Sequence, residues 1–220
     1  MTQEVEISKL SPHPWEKSLF GKDENDSYHV LKDDIEERGL MTPIHITSDK
    51  PIGNVKPNTI ICGHRRVRIF KELGKEKIPA IVLEDLKTET DVKKQFLSDN
   101  ILRRKLDKVE RVLVFQKLIE VETERAKERM LNANPSGKTP MEKLPQGQET
   151  GAARDLAAKR LGVSGRTMED EAKIYEWIKD DTESIEEWRT GEVSSSEFLI
   201  GMQEYKERKK REAESKTPKK

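Results

Sequence analysis

The sequence predicts an α+β fold followed by an all-α region. Three observations carry that expectation. Between residues 4 and 83, short alternating or β-branched apolar runs trade places with segments of helical period. From Asp91 onward the periodicity is helical alone. Residues 132–151 hold Pro135, Gly137, Pro140, Pro145, Gly147 and Gly151 with few apolar residues, the composition of a linker that divides the helical part.

Each element follows from its local pattern. Residues 4–10 alternate polar and apolar and predict a first strand, stopped by Pro12 and Pro14. The polar residues 16–26 predict a loop, and Tyr28, Leu31 and Ile35 then share a helical face up to Gly39. Residues 43–47 predict a second strand, and the turn-rich 48–58 leads to a third around Ile60 and Ile61. Val67, Phe70 and Leu73 mark the next helix, and residues 78–83 the last strand. A long helix is expected over 107–131, with Asp107 and Glu110 at capping-box spacing and its charged portion beyond Thr123 projecting into solvent. Shorter helices are expected over 152–160, 164–178, 182–188 and 194–211, and a basic tail over 212–220.

Composition narrows the function classes. Of 220 residues, 33% are hydrophobic, 38% charged and 5% aromatic, so much of the chain should be exposed helix, linker or tail. Lys+Arg and Asp+Glu both number 42, so any attraction to nucleic acid must come from local patches. The single Cys62 excludes an internal disulfide and a cysteine-based zinc site, and it fits a reducing cytoplasm. No apolar run approaches the length of a membrane span and no signal-peptide pattern opens the chain; the expectation is a cytoplasmic protein without a membrane partner.

Two constellations carry chemistry. Gly63-His64-Arg65-Arg66 follows a strand and opens a helix whose first turn also holds Arg68. Cations are disfavoured at a helix N-terminus unless an anion sits opposite, and a glycine turn with free N–H groups is a phosphate cradle. A solvated basic helix is the alternative. In the second constellation, small Ala157 and Ala158, the turn at Gly162 and a Ser164 cap describe a helix-turn-helix. Ser164, Arg166 and Thr167 fall at the exposed start of its second helix, where an arginine can read a guanine edge. Arg154, Lys159 and Arg160 are placed for DNA phosphates. An ordinary helical hairpin is the alternative, and Glu171 stands where the motif wants an apolar residue.

With both constellations in order, residues 4–211 resemble the ParB/sulfiredoxin-like superfamily, as a ParB-like N-terminal domain joined to a helix-turn-helix. The carrying motifs are residues 7–12, residues 34–44, Gly63-His64-Arg65-Arg66 and Asp99-Asn100-Ile101-Leu102-Arg103. His64 stands where the partition proteins usually have glutamate. The resemblance implies a small mixed sheet with helices in residues 1–100, a connecting helix at 101–131, a flexible linker at 132–151 and DNA-binding helices at 152–211. It implies that Gly63, His64, Arg65, Arg66, Asn100 and Arg103 hold the phosphates of a nucleoside triphosphate, CTP or ATP, with Asp99 on the Mg²⁺ side. It implies DNA and a ParA-like ATPase as partners, a homodimer, and a role in plasmid or chromosome partition or in transcription or replication control. A nucleotide hydrolase, CTPase-like, or a nuclease using the same pocket is the alternative.

Overall fold

A computed structural model describes residues 2–20, 26–103, 106–133 and 152–215. The chain divides into two compact units.

The first unit is built on a mixed four-stranded sheet. β1 (Thr2–Glu6), β2 (Ile44–Ile46), β3 (Ile60–Cys62) and β4 (Lys77–Val82) lie in the order β1-β4-β2-β3. β1 runs antiparallel to β4, β2 parallel to β4, and β3 antiparallel to β2. The two-residue side-chain period puts Ile44 and Ile46 on one face, both fully buried, and His45 on the other. On the isoleucine face, Tyr28 and Ile35 of α2 (Asp26–Arg38) and Val67 and Phe70 of α3 (His64–Glu72) close the core with Ile60, Ile78 and Ala80. Burying each such side chain contributes about 1.5–3 kcal/mol before the entropy of ordering it is counted. α4 (Glu89–Arg103) packs on β3 and buries Val92, Phe96 and Leu97 completely.

Two expectations fail here for physical reasons. The strand expected over 4–10 begins at Thr2 and stops at Glu6, where the pairing with Lys77 ends. Ile7–Lys9 then coils into a 3-10 turn that sends Ile7 into the core, with the Ile7 amide donating to Glu76 O at 2.9 Å. The loop expected over 16–26 opens with a short helix, α1 (Glu16–Phe20), which buries Leu19 and Phe20. Five residues are too few for a helical period to show in a sequence. Residues 21–25 lie outside the described residues.

The second unit is helical. It holds α5 (Lys108–Ala133) as far as Glu122, α6 (Ala153–Arg160), α7 (Gly165–Ile178), α8 (Thr182–Thr190) and α9 (Ser195–Ser215). The capping box is present: the Glu110 amide donates to Asp107 Oδ1 at 2.8 Å and the Asp107 amide to Glu110 Oε2 at 3.2 Å. Leu118, Met168, Ile174 and Trp188 are almost wholly buried in this unit.

From Thr123 onward α5 goes with the sheet unit. It does not run free into solvent as expected. Lys93 Nζ reaches Glu124 at 2.9 Å, and Thr90 Oγ1 donates to Glu128 at 2.9 Å, so the charged turns lie against α4. Polar residues there bind polar residues, which a search for an apolar stripe does not detect. Of the expected linker, residues 132–133 complete α5 and 134–151 lie outside the described residues. Residues 212–215 of the expected tail form the last turn of α9, and 216–220 lie outside.

Candidate functional site

In the sheet unit, the fully buried β3 delivers the chain to Gly63, the residue preceding α3, with φ 105° and ψ 22°. A side chain there would strain the backbone and bring a Cβ within 2.6 Å of Ile44 Cγ2. The glycine thus lets α3 start hard against β2. The first N–H groups of any α-helix lack intrahelical acceptors, so this end offers donors to an anion.

The basic residues of that turn are held in different ways. Arg66 points inward: its Nη1 donates to Thr42 O and to Pro43 O at 2.7 Å, and its Nη2 lies 3.6 Å from the buried Cys62 Sγ. Arg65 Nη2 donates to Ser27 Oγ at 2.9 Å, at the start of α2. The guanidinium groups of Arg65 and Arg68 both lie over the Tyr28 ring, at 5.9 and 5.7 Å from its centre. The Tyr28 hydroxyl donates to Glu72 Oε1 at 2.6 Å. Nη1 of Arg68 is buried with no hydrogen-bond partner among the described residues.

His64 turns the other way. Its Nε2 accepts the His13 amide at 3.2 Å, and its Nδ1 lies 3.3 Å from Glu16 Oε2. His13 is buried and stacks on Phe96 with ring centres 3.8 Å apart; His64 meets the same phenyl edge-on. Burial, with a smaller contribution from the charge of Lys93, lowers the pKa of His13 to about 4. On α4, Asp99 accepts from Gln95 Nε2 at 2.8 Å and lies 3.1 Å from His45 Nδ1 of β2. Asn100 is buried, and its amide donates to Phe96 O at 2.7 Å. The motif residues His64 and Asn100 thus meet around Phe96. The Arg103 side chain lies outside the described residues.

Sequence reasoning missed His13, Glu16 and His45 as parts of this region. Three histidines that look scattered along the chain include two that fold onto motif residues. The signal was faint: His45 sits on the polar side of an alternating strand. No group of three or more His, Cys, Asp or Glu among the described residues is placed to hold a metal ion.

In the helical unit, α6 and α7 pack through Leu156, Ala157, Ala158 and Met168. Gly162 takes φ 71° in the turn. Ser164 caps α7, its Oγ accepting the Thr167 amide at 3.1 Å. Ser164, Arg166 and Thr167 are exposed, as is Lys159. Glu171, an apparent mismatch in sequence, is buried and accepts a forked bond from Arg111 of α5, with Arg111 Nε to Oε2 at 2.9 Å. Its neighbours are also neutralised: Glu169 pairs with Arg154, and Asp170 with Lys173. Arg160, expected at a DNA phosphate, is drawn inward to the buried Glu122 at 2.9 Å. Arg154 stays exposed but bonds Asp155 and Glu169, which hold its pKa above the usual value.

Comparison with known proteins bears on the fold. The model of the ParB N-terminal domain matches residues 1–101. A nucleoid occlusion protein of Bacillus cereus (strain AH187) is 31% identical over 119 residues, which is 54% of this chain and 38% of that protein. The chain therefore spans well under half the length of the curated relatives it matches. A solved pNOB8-like ParB N-domain superposes with a TM-score of 0.54 at 18% identity, covering 92% of this chain and 74% of that one. A second crystal form of that domain gives 0.53 at 18% identity, over 92% and 79%. These likenesses show the fold.

Proposed function

We propose, from the premise that residues 1–101 are a ParB-like N-terminal domain, that this protein binds DNA through α6 and α7 and is influenced by a nucleotide at the start of α3. The observation that carries the DNA reading is the capped, exposed start of α7, where Arg166 and Thr167 stand clear of the packed helix pair. The start of a recognition helix enters the major groove, and Arg166 is the residue for a base edge. Exposed Lys159 of α6 is placed for a phosphate, whereas Arg160 turns inward to the buried Glu122. The nucleotide's phosphates would meet the α3 N–H groups, with Arg65 and Arg68 as their cations and Arg66 holding the turn that presents them. Asp99 alone is no metal cage. It fits the mode in which Mg²⁺ arrives on a triphosphate and takes one carboxylate, with His45 and Gln95 orienting that carboxylate. CTP or ATP, a homodimer, a ParA-like partner and a cytoplasmic role in partition or replication control are the family-level form of this reading. Among the described residues no helix is long and apolar enough to cross a membrane.

The test pairs two variants. Arg166→Ala should lose about 1–3 kcal/mol of binding to a selected DNA site in fluorescence anisotropy and keep nucleotide binding in calorimetry. Arg65→Ala should do the reverse. Loss of nucleotide-free DNA binding in Arg65→Ala, with Arg166→Ala unchanged, would assign DNA reading to the sheet unit instead.

A further inference from the structure

We propose that His64 and His13 form a proton-operated latch that holds residues 12–15 against the first turn of α3. The sequence Pro12-His13-Pro14-Trp15 has only two backbone N–H groups, because proline has none. Both go to imidazole nitrogens. The His13 amide donates to His64 Nε2 and the Trp15 amide to His13 Nδ1, each at 3.2 Å. A backbone amide can only donate, so each accepting nitrogen must carry no proton. The segment's flanks are held independently: Ser11 by backbone bonds with Asn58 and Ile60, and α1 by its buried Leu19 and Phe20. The imidazoles therefore govern the stretch between fixed ends.

His64 is poised between two states. The His13 amide favours its neutral ring, and Glu16 of α1 favours its imidazolium. The other groups on this cluster are Phe96 and Lys93 of α4, with Lys93 over the Trp15 ring and paired to Glu124 of α5; Arg65 and Arg68 of α3 lie over Tyr28 instead. Protonated His64 keeps Glu16 and drops the His13 amide, so the latch opens without scattering its parts. His13 answers later. Its pKa is lowered to about 4, so its bond to Trp15 survives the first step and fails only in stronger acid. The sign is that of a group kept neutral by the fold: the closed segment is stable above the titration and weakens as pH falls.

Hydrogen exchange of the segment 11–16, corrected for intrinsic rates, tests this in the full chain without nucleotide. Measurements at about pH 7.5 and about pH 5.5 bracket an ordinary imidazole titration. Protection in the parent protein should fall about tenfold between them, the loss of roughly one hydrogen bond's worth of closure. His64→Gln supplies an amide oxygen as acceptor at every pH and should abolish that fall. His64→Phe keeps the ring contact with Phe96, removes the acceptor and should leave the His13 amide unprotected at both values, with exchange of β4, in the same unit, as the folding control. If His64→Phe does not fold, His64→Gln decides. Unchanged protection of the parent across the two pH values overturns the latch. So does a His64→Gln variant as pH-sensitive as the parent, or a folded His64→Phe variant as protected as the parent.

Discussion

The starts of α3 and α7 share an arginine at the second helical position and are opposite in construction. One reads Gly-His-Arg-Arg and the other Ser-Gly-Arg-Thr. At α3 the preceding residue is a left-handed glycine with no side-chain cap, jammed against β2. Its cations are turned onto carbonyls, a hydroxyl and an aromatic ring. At α7 the preceding residue is an extended serine that caps the helix with its own oxygen, and Arg166 stands in solvent. A cation at a helix N-terminus is unfavourable at both. The sheet unit offsets this with internal partners, and the helical unit leaves it to be offset from outside. The difference teaches that a basic helix start is a site of a particular kind only once the partners of its cations are known.

The largest expected effect breaks the comparison at its glycines. Gly63→Ala must hold an alanine at φ 105° and place a methyl on Ile44, and should lower stability by about 3 kcal/mol. Gly165→Ala meets only the ends of the Asp155 and Arg154 side chains, which can swing aside, and carries no left-handed backbone. It should change stability by less than about 1 kcal/mol, with helix propensity in its favour. Urea denaturation of both variants gives the two numbers directly, and equal losses would erase the contrast.

A middle-sized effect sharpens the helical side. Glu171 makes the motif look wrong in sequence, yet it ties α7 to α5 through Arg111. Glu171→Ala leaves Arg111 without that carboxylate and should cost about 2 kcal/mol, less than for a fully buried pair because the Arg111 side chain keeps 26% exposure. Replacing both residues by methionine should restore most of the loss, since well-packed apolar groups often match a buried ion pair. Thermal denaturation of the single and double variants checks this; a double variant as weak as the single one would show that the pair itself is irreplaceable.

How much of this was legible in the sequence depends on range. Strand cores, the helix faces of Tyr28 and Val67, the Asp107 capping box and the Ser164 cap all rest on residues within a few positions of one another, and they fold as their local patterns predict. The mixed sheet, and the match of residues 1–101 to the ParB N-terminal domain, were legible from the motif order. What sequence could not show are partners far apart in the chain. His13 and His64 are 51 residues apart, and Arg111 and Glu171 are 60 apart. Nothing local tells that Arg66 will find the Thr42 and Pro43 carbonyls, or that Glu122 will draw Arg160 inward. The motif residues could therefore be named from the sequence, but not the partners that hold them in the fold.

The smallest expected effect concerns the side-chain cap that α7 has and α3 lacks. Ser164 Oγ accepts the Thr167 amide and also lies 2.8 Å from the Thr167 hydroxyl, so it satisfies one orphan donor and fixes a second side chain. Ser164→Ala removes both and should lower stability by about 1 kcal/mol, the usual value of a lost N-cap. Ser164→Asp should retain the cap, because a carboxylate accepts the same amide and suits the positive helix end. The two variants part company on DNA. If α7 enters a groove by its first turn, the added negative charge of Ser164→Asp should weaken DNA binding while stability is kept, and Ser164→Ala should lose stability with a smaller effect on binding. Melting curves beside anisotropy at one salt concentration separate the two quantities. A Ser164→Asp variant that binds DNA as well as the parent would place the DNA away from the start of α7, and the exposure of Arg166 would then carry no functional meaning.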